Sequence, residues 1–108
     1  MNLSRLDQLL NLLQDSPEDE FLLYAVAKEY EGLGQSPEAL GRYRDLQEKY
    51  PKYVATYYHY AKLLEKEERY QKALQIYEQG MAVAREIGDQ HALGELANAK
   101  QNLEFDLD

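Results

Sequence analysis

Residues 20–53 read EFLLYAVAKEYEGLGQSPEALGRYRDLQEKYPKY, and residues 54–87 read VATYYHYAKLLEKEERYQKALQIYEQGMAVAREI. The second stretch lines up with the first at a shift of 34 residues, and seven positions are then identical. Ordinary composition would give roughly two identities by chance. The identical pairs are Tyr24 and Tyr58, Ala27 and Ala61, Lys28 and Lys62, Glu31 and Glu65, Ala39 and Ala73, Leu40 and Leu74, and Tyr43 and Tyr77. A period of this length predicts a tandem supersecondary unit.

Composition favours a small all-α protein with one core. The chain has 108 residues, with three prolines, six glycines and no tryptophan, which suits helices joined by short turns. Its formal net charge of -8 would repel a phosphate backbone or an anionic membrane on average. Neither nucleic acid nor a membrane is therefore expected as a partner.

The chain contains no cysteine, so it can form neither a disulfide framework nor a thiolate metal site. Arg5, Asp7 and Asn11 interrupt the first fourteen residues, which therefore lack the apolar core of a signal peptide. No later run is long enough to span a membrane. These features predict a soluble, cytoplasmic protein.

Periodicity and turn residues predict six helices. Leucines at positions 3, 6, 9, 10 and 13 mark an amphipathic helix over residues 2–14, capped by Asn2 or Ser4. The segment 15–17 is expected to end this helix and to cap a second one that runs to about residue 33. Ser36 is expected to cap a third helix that ends at residue 49. The fourth helix is expected over residues 54–67 and the fifth over residues 70–86. Asp89 is expected to cap the sixth.

Inside each repeat, a large residue is followed by a small one four positions on, then by an aromatic or aliphatic residue, and later by alanine and tyrosine. The alanines would let two antiparallel helices approach closely, and the tyrosines would fill the wedge between the helices. The first repeat carries this pattern at Leu23, Val26, Ala27, Tyr30, Ala39, Tyr43 and Pro51, and the second at Tyr57, Tyr60, Ala61, Leu64, Ala73 and Tyr77.

This pattern resembles the tetratricopeptide repeat (TPR) family. The resemblance implies antiparallel helix pairs stacked as a right-handed superhelix, within a single domain over residues 1–108. Repeats occupy residues 20–53 and 54–87, a half-repeat helix lies at 2–14, and a capping helix at 89–104. The sequence departs from the family at two positions of the repeat. Leu23 and Tyr57 stand where the family has tryptophan, and the proline found at Pro51 in the first repeat is replaced by Arg85 in the second.

The resemblance also implies a concave groove, lined by the first helix of each pair, that binds peptides or partner proteins. Packing explains the repeated alanines and Tyr43 with Tyr77, but it does not by itself require the repeated Tyr, Lys and Glu of the first helices. Such a ladder suits peptide recognition, whereas the alternative is partial packing of the tyrosines with Lys–Glu surface pairs. The groove-facing positions are Phe21, Tyr24, Lys28, Glu31, Ala55, Tyr58, Lys62 and Glu65.

Other kinds of site find little support. The positions where chaperone-binding relatives clamp a terminal carboxylate carry Tyr24, Lys28, His59, Asp89 and Leu93, of which only Lys28 and His59 are chemically suitable. Neither histidine has helical neighbours that would complete a metal site. Catalysis is not expected, because the serines fall at helix caps and no nucleophile lies near a histidine. No metal, cofactor or catalytic residue is predicted.

Tyrosines are crowded at positions 50, 53, 57, 58 and 60. They could form a platform for a ligand. We favour the alternative, in which Tyr57 and Tyr60 belong to the core while Tyr50 and Tyr53 cover the turn between the repeats.

Residues 102–108 alternate apolar with acidic or polar side chains. This end of the chain is either a tail that docks onto a partner or a fraying helix end whose Leu103 and Phe105 cover the last repeat.

The sequence therefore predicts a non-catalytic protein-interaction module or adaptor. A homo-oligomer formed through the end helices is an alternative, because Leu12 lies off the main apolar stripe of the first helix. Helical-repeat RNA binding is a more distant one, which the net charge of -8 disfavours.

Overall fold

The computed structural model describes residues 4–108, and this part of the chain forms α-helices without strands. The six helices are α1 (Arg5–Asp15), α2 (Glu20–Gly32), α3 (Ser36–Lys49), α4 (Ala55–Lys66), α5 (Tyr70–Ile87) and α6 (Gln90–Leu107). The predicted all-α class is confirmed. No helix of residues 4–108 combines the length and the apolar character needed to cross a membrane.

The chain divides into two compact units, residues 1–50 and 51–108. In the first unit, α2 packs against both α1 and α3. In the second unit, α5 packs against α4 and α6, and α4 also touches α6. Each unit therefore contains one complete helix pair and one additional helix.

Short polar side chains start three of the helices. The Asp7 N–H donates to Ser4 Oγ at 3.1 Å, the Leu22 N–H donates to Asp19 Oδ1 at 3.1 Å, and the Ala92 N–H donates to Asp89 Oδ1 at 2.9 Å. Ser4 and Asp89 thus act as predicted, and Asn2 lies outside the described residues. The segment 15–17 ends α1 as expected, because the Ser16 N–H donates to the Leu12 carbonyl. The prediction that this segment caps α2 was wrong, because the cap is Asp19.

The start of α3 also differs from the prediction. Ser36 is the first residue of the helix, and Gln35 precedes it without a side-chain capping bond. Pro37 lies in the first turn, where its missing N–H would have no partner in any case.

Small residues lie where the paired helices touch. Ala27 and Ala39 are fully buried in the first unit, and Ala61 and Ala73 are fully buried in the second. Beside them lie Tyr43 and Tyr77, which are also fully buried. Of the other residues of the repeat pattern, Val26, Tyr57, Tyr60 and Leu64 are buried, Leu23 and Tyr30 are half-buried, and Pro51 is exposed.

Gly80 lies at a close contact between helices of the second unit. A Cβ atom on Gly80 would lie 2.5 Å from Tyr57 Cβ and 3.1 Å from Leu96 Cδ1, so α5 has no room there for a side chain. The equivalent position of the first repeat is Leu46, which is buried, and Leu23 stands there in place of Tyr57. The second repeat therefore combines a larger residue on its first helix with a glycine on its second.

We predict that Gly80→Ala destabilises the protein. Overpacking a buried helix contact costs about 1 to 3 kcal/mol, and we expect a cost near the upper end because the atom at 2.5 Å is the Cβ atom of Tyr57, which cannot swing away. This cost exceeds the roughly 1 kcal/mol that alanine gains over glycine in a helix. Gly94→Ala in α6 is the matched control, because a Cβ atom there meets nothing within 4 Å. Urea unfolding should show a loss for Gly80→Ala and no loss for Gly94→Ala; equal midpoints would contradict the packing.

Helix α6 extends beyond residue 104, where the capping helix was predicted to end. The helix runs to Leu107, and Leu103 is only 3% exposed, as expected of a residue that covers the last repeat. Phe105 does not share this role, because it is 79% exposed. Residues two apart point in very different directions on a helix, so Leu103 and Phe105 cannot both face the core.

Candidate partner-binding faces

The predicted groove residues lie on one helix in each unit. In the first unit, α2 carries Phe21, which is 62% exposed, together with half-buried Tyr24, Lys28 and Glu31; we call this set the α2 face. In the second unit, α4 carries half-buried Ala55, Tyr58 and Glu65 together with exposed Lys62; we call this set the α4 face.

The glutamates of both faces are joined to the second helix of their own pair. In the first unit, the Tyr43 hydroxyl donates to Glu31 Oε1 at 2.7 Å. In the second unit, the Tyr77 hydroxyl donates to Glu65 Oε2. The repetition of Glu31 at Glu65 therefore has a structural reason, and the expectation that packing does not require these two glutamates was wrong.

Burial changes the chemistry of the two tyrosines. Desolvation raises the pKa of Tyr43 and of Tyr77 well above the usual value of 10, and the hydrogen bonds to Glu31 and Glu65 raise it further. A phenolate would be costly in the core and would also face a carboxylate. Both tyrosines therefore remain protonated donors across the physiological range.

These raised pKa values predict a loss of stability in alkali. Above about pH 10 the unfolded chain releases the two tyrosine protons while the folded chain keeps them, so stability present below pH 10 falls as pH rises, by up to about 1.4 kcal/mol per tyrosine and pH unit. Tyr43→Phe with Tyr77→Phe should be less stable at pH 7 and should fall less steeply in alkali. Parallel alkaline slopes in urea unfolding would contradict this assignment.

The α4 face orders a lysine beside an aromatic ring. Lys62 Nζ lies 5.8 Å from the centroid of the Tyr58 ring and 3.9 Å from Glu65 Oε2. The Tyr58 ring in turn meets His59 edge to face, with centroids 5.4 Å apart. The Lys62 side chain is 46% exposed, so these contacts orient the ammonium group without covering it.

A cleft of about 600 Å³ lies beside the α4 face. It is lined by Lys62, Glu65 and Lys66 of α4, by Tyr70 at the start of α5, and by Leu103, Asp106 and Leu107 of α6. The residues of this cleft come from three helices, and their sequence pattern does not predict it. The only signal for it was Lys66, which follows Lys62 by one helical turn.

The structure gives no support to a carboxylate clamp or to a metal site in the residues that it describes. Asp89, one of the carboxylate-clamp positions, caps α6. Among residues 4–108, no group of three or more His, Asp or Glu side chains is placed to hold a metal ion.

The crowded tyrosines also have structural positions. Tyr57 and Tyr60 are buried, and the Tyr57 hydroxyl donates to the Pro51 carbonyl at 2.5 Å. The Tyr50 hydroxyl donates to the Glu18 carbonyl at 2.6 Å within the first unit. These bonds tie the tyrosines to their own units.

Two solved structures of a tetratricopeptide repeat domain protein from Salinibacter ruber are 44% identical to this chain. The solution structure covers 82% of this chain and 89% of its own, with a TM-score of 0.79, and the crystal structure covers 81% and 97%, with a TM-score of 0.77. The chain belongs to the tetratricopeptide repeat family.

A Bordetella parapertussis protein shares the fold at 24% identity, with a TM-score of 0.84 over 97% of this chain and 91% of its own. No protein-family model matches this TPR chain, and no curated protein matches it either.

Proposed function

We propose that this TPR chain is a non-catalytic cytoplasmic adaptor that binds a peptide or partner protein through its α2 and α4 faces. The support is chemical. Tyrosine offers a rigid apolar surface with a hydroxyl at a low entropic cost, and lysine adds a cation that can choose among partners. Both residue types recur at the same positions of the two repeats, at Tyr24 with Tyr58 and at Lys28 with Lys62.

The observation that carries the proposal is the Lys62–Tyr58 pair at the edge of the cleft. Lys62 lines the cleft, is half exposed, and is held near the Tyr58 ring, so a ligand would meet a cation whose position is already restricted. Restricting a long side chain before binding lowers the entropy that is lost in the complex.

Glu31 and Glu65 have a different role in this proposal. Their carboxylates accept hydrogen bonds from Tyr43 and Tyr77, and their side chains are partly covered. They therefore support the helices that present tyrosine and lysine, and direct contact with a partner is assigned to Tyr24, Lys28, Tyr58 and Lys62.

Peptide phage display on the purified chain tests the proposal. We expect wild-type protein to enrich peptides whose binding falls by about tenfold or more, equivalent to 1.4 kcal/mol, on Tyr58→Ala with Lys62→Ala or on Tyr24→Ala with Lys28→Ala. Gln71→Ala with Lys72→Ala is the control, because both residues are exposed on α5. Circular dichroism establishes that every variant is folded.

Two results would refute the proposal. One is the failure of repeated panning to enrich any peptide sequence above the background of the empty support. The other is enrichment of peptides that bind the face variants and the control variant as tightly as they bind the wild type.

A further inference from the structure

The two sides of the cleft in the second unit differ in chemistry. On the α4 side, Lys62 and Lys66 are four residues apart, and on the α6 side Leu103 and Leu107 are also four residues apart. Side chains at this spacing lie on the same face of a helix, about 6 Å apart along its axis. The α4 side of the cleft thus carries two lysines with Glu65 between them, and the α6 side carries two leucines at the same spacing, of which Leu107 is 42% exposed and Leu103 only 3%.

The two lysines are available to a ligand. Lys66 is exposed and forms no ion pair with any residue between positions 4 and 108. The only acidic group within 4.0 Å of the Lys62 ammonium in that range is Glu65, at 3.9 Å, and this carboxylate already accepts a hydrogen bond from Tyr77. Neither ammonium group is therefore neutralised by a close, exclusive partner.

The net charge of the chain does not describe the field inside the cleft. The value of -8 is a sum over all 108 residues, and charges separated by more than about 8 Å in physiological salt are largely screened from each other. A ligand in the cleft responds chiefly to the charges that line it, which are Lys62 and Lys66 together with Glu65 and Asp106.

Asp106 restricts how a ligand can lie. It lines the cleft from α6, the same helix that supplies the leucines, and forms no ion pair with residues 4–108. An acidic group placed against α6 would be repelled, whereas one placed against α4 would meet two lysines and a single carboxylate, Glu65, which accepts a hydrogen bond from Tyr77. Acidic side chains of a ligand are therefore directed to the α4 side.

We propose that this cleft binds a partner protein through a segment that presents two acidic side chains about 6 Å apart on one side and apolar side chains on the other. The inference rests on the proposed function, since Lys62 and Glu65 belong to both the α4 face and the cleft. It adds the chemistry of the partner and a second contact residue, Lys66, which lies outside the α4 face.

Labelled synthetic peptides and fluorescence anisotropy test the inference on the full chain. One peptide has glutamates four residues apart beside leucines on a helical scaffold, and a second alternates glutamate with leucine as an extended strand would. Each has a counterpart with lysine in place of glutamate. We expect at least one acidic peptide to bind and both basic counterparts to fail.

Charge reversal of the cleft supplies the decisive comparison. Lys62→Glu with Lys66→Glu should weaken the acidic peptide by at least about tenfold and should allow its basic counterpart to bind. Lys72→Glu, which reverses an exposed lysine on α5, should leave the acidic peptide unchanged. Leu107→Asp should also weaken it, since Leu107 is 42% exposed and forms part of the apolar side.

The inference fails if neither acidic peptide binds, or if the double reversal and Lys72→Glu have the same effect. It also fails if sedimentation equilibrium shows a dimer that Lys66→Glu dissociates, because a second copy would then occupy the cleft. Phage-selected peptides that depend on Tyr58 but not on Lys66 would refute this inference while leaving the proposed function intact.

Discussion

A buried tyrosine hydroxyl needs an acceptor, and each helix pair of this protein supplies one from the opposite helix. Tyr43 and Tyr77 fill the space beside the alanine contacts, and their hydroxyl groups donate to Glu31 and Glu65. A charged acceptor makes such a bond stronger than a neutral one. The same bond sets the position of the C-terminal part of each first helix, which also carries the lysine of the candidate binding face.

At a second contact between their helices, the two helix pairs pack with different side chains. Leu23 and Leu46 in the first repeat correspond to Tyr57 and Gly80 in the second. Protein interiors are close-packed, so a larger residue on one helix requires a smaller one opposite or a shift of the backbone. The repeats therefore share a period and a pattern, but their core residues cannot be exchanged one at a time.

The net charge of the chain and the charges that line a site affect different kinds of binding. The formal charge of -8 bears on the average field, and it disfavours nucleic acid as a partner. Within the second unit, Lys62 and Lys66 lie on one side of a cleft, with Glu65 between them, and Leu103, Asp106 and Leu107 lie on the other side. For this reason the proposed partner is acidic although the protein itself is acidic.

The sequence by itself determined the 34-residue period, the all-α class and most helix limits, because apolar periodicity, Pro37 and Gly88 act within a few residues of the chain. Local signals could not choose Asp19 over residues 15–17 as a cap, since both offer an acceptor. Only the tertiary structure decided that Glu31 accepts the hydrogen bond of Tyr43, that Gly80 leaves room for Tyr57, and that Lys66 and Leu107 line the same cleft. These residues lie 12 to 41 positions apart, and helical periodicity carries no information about partners on another helix.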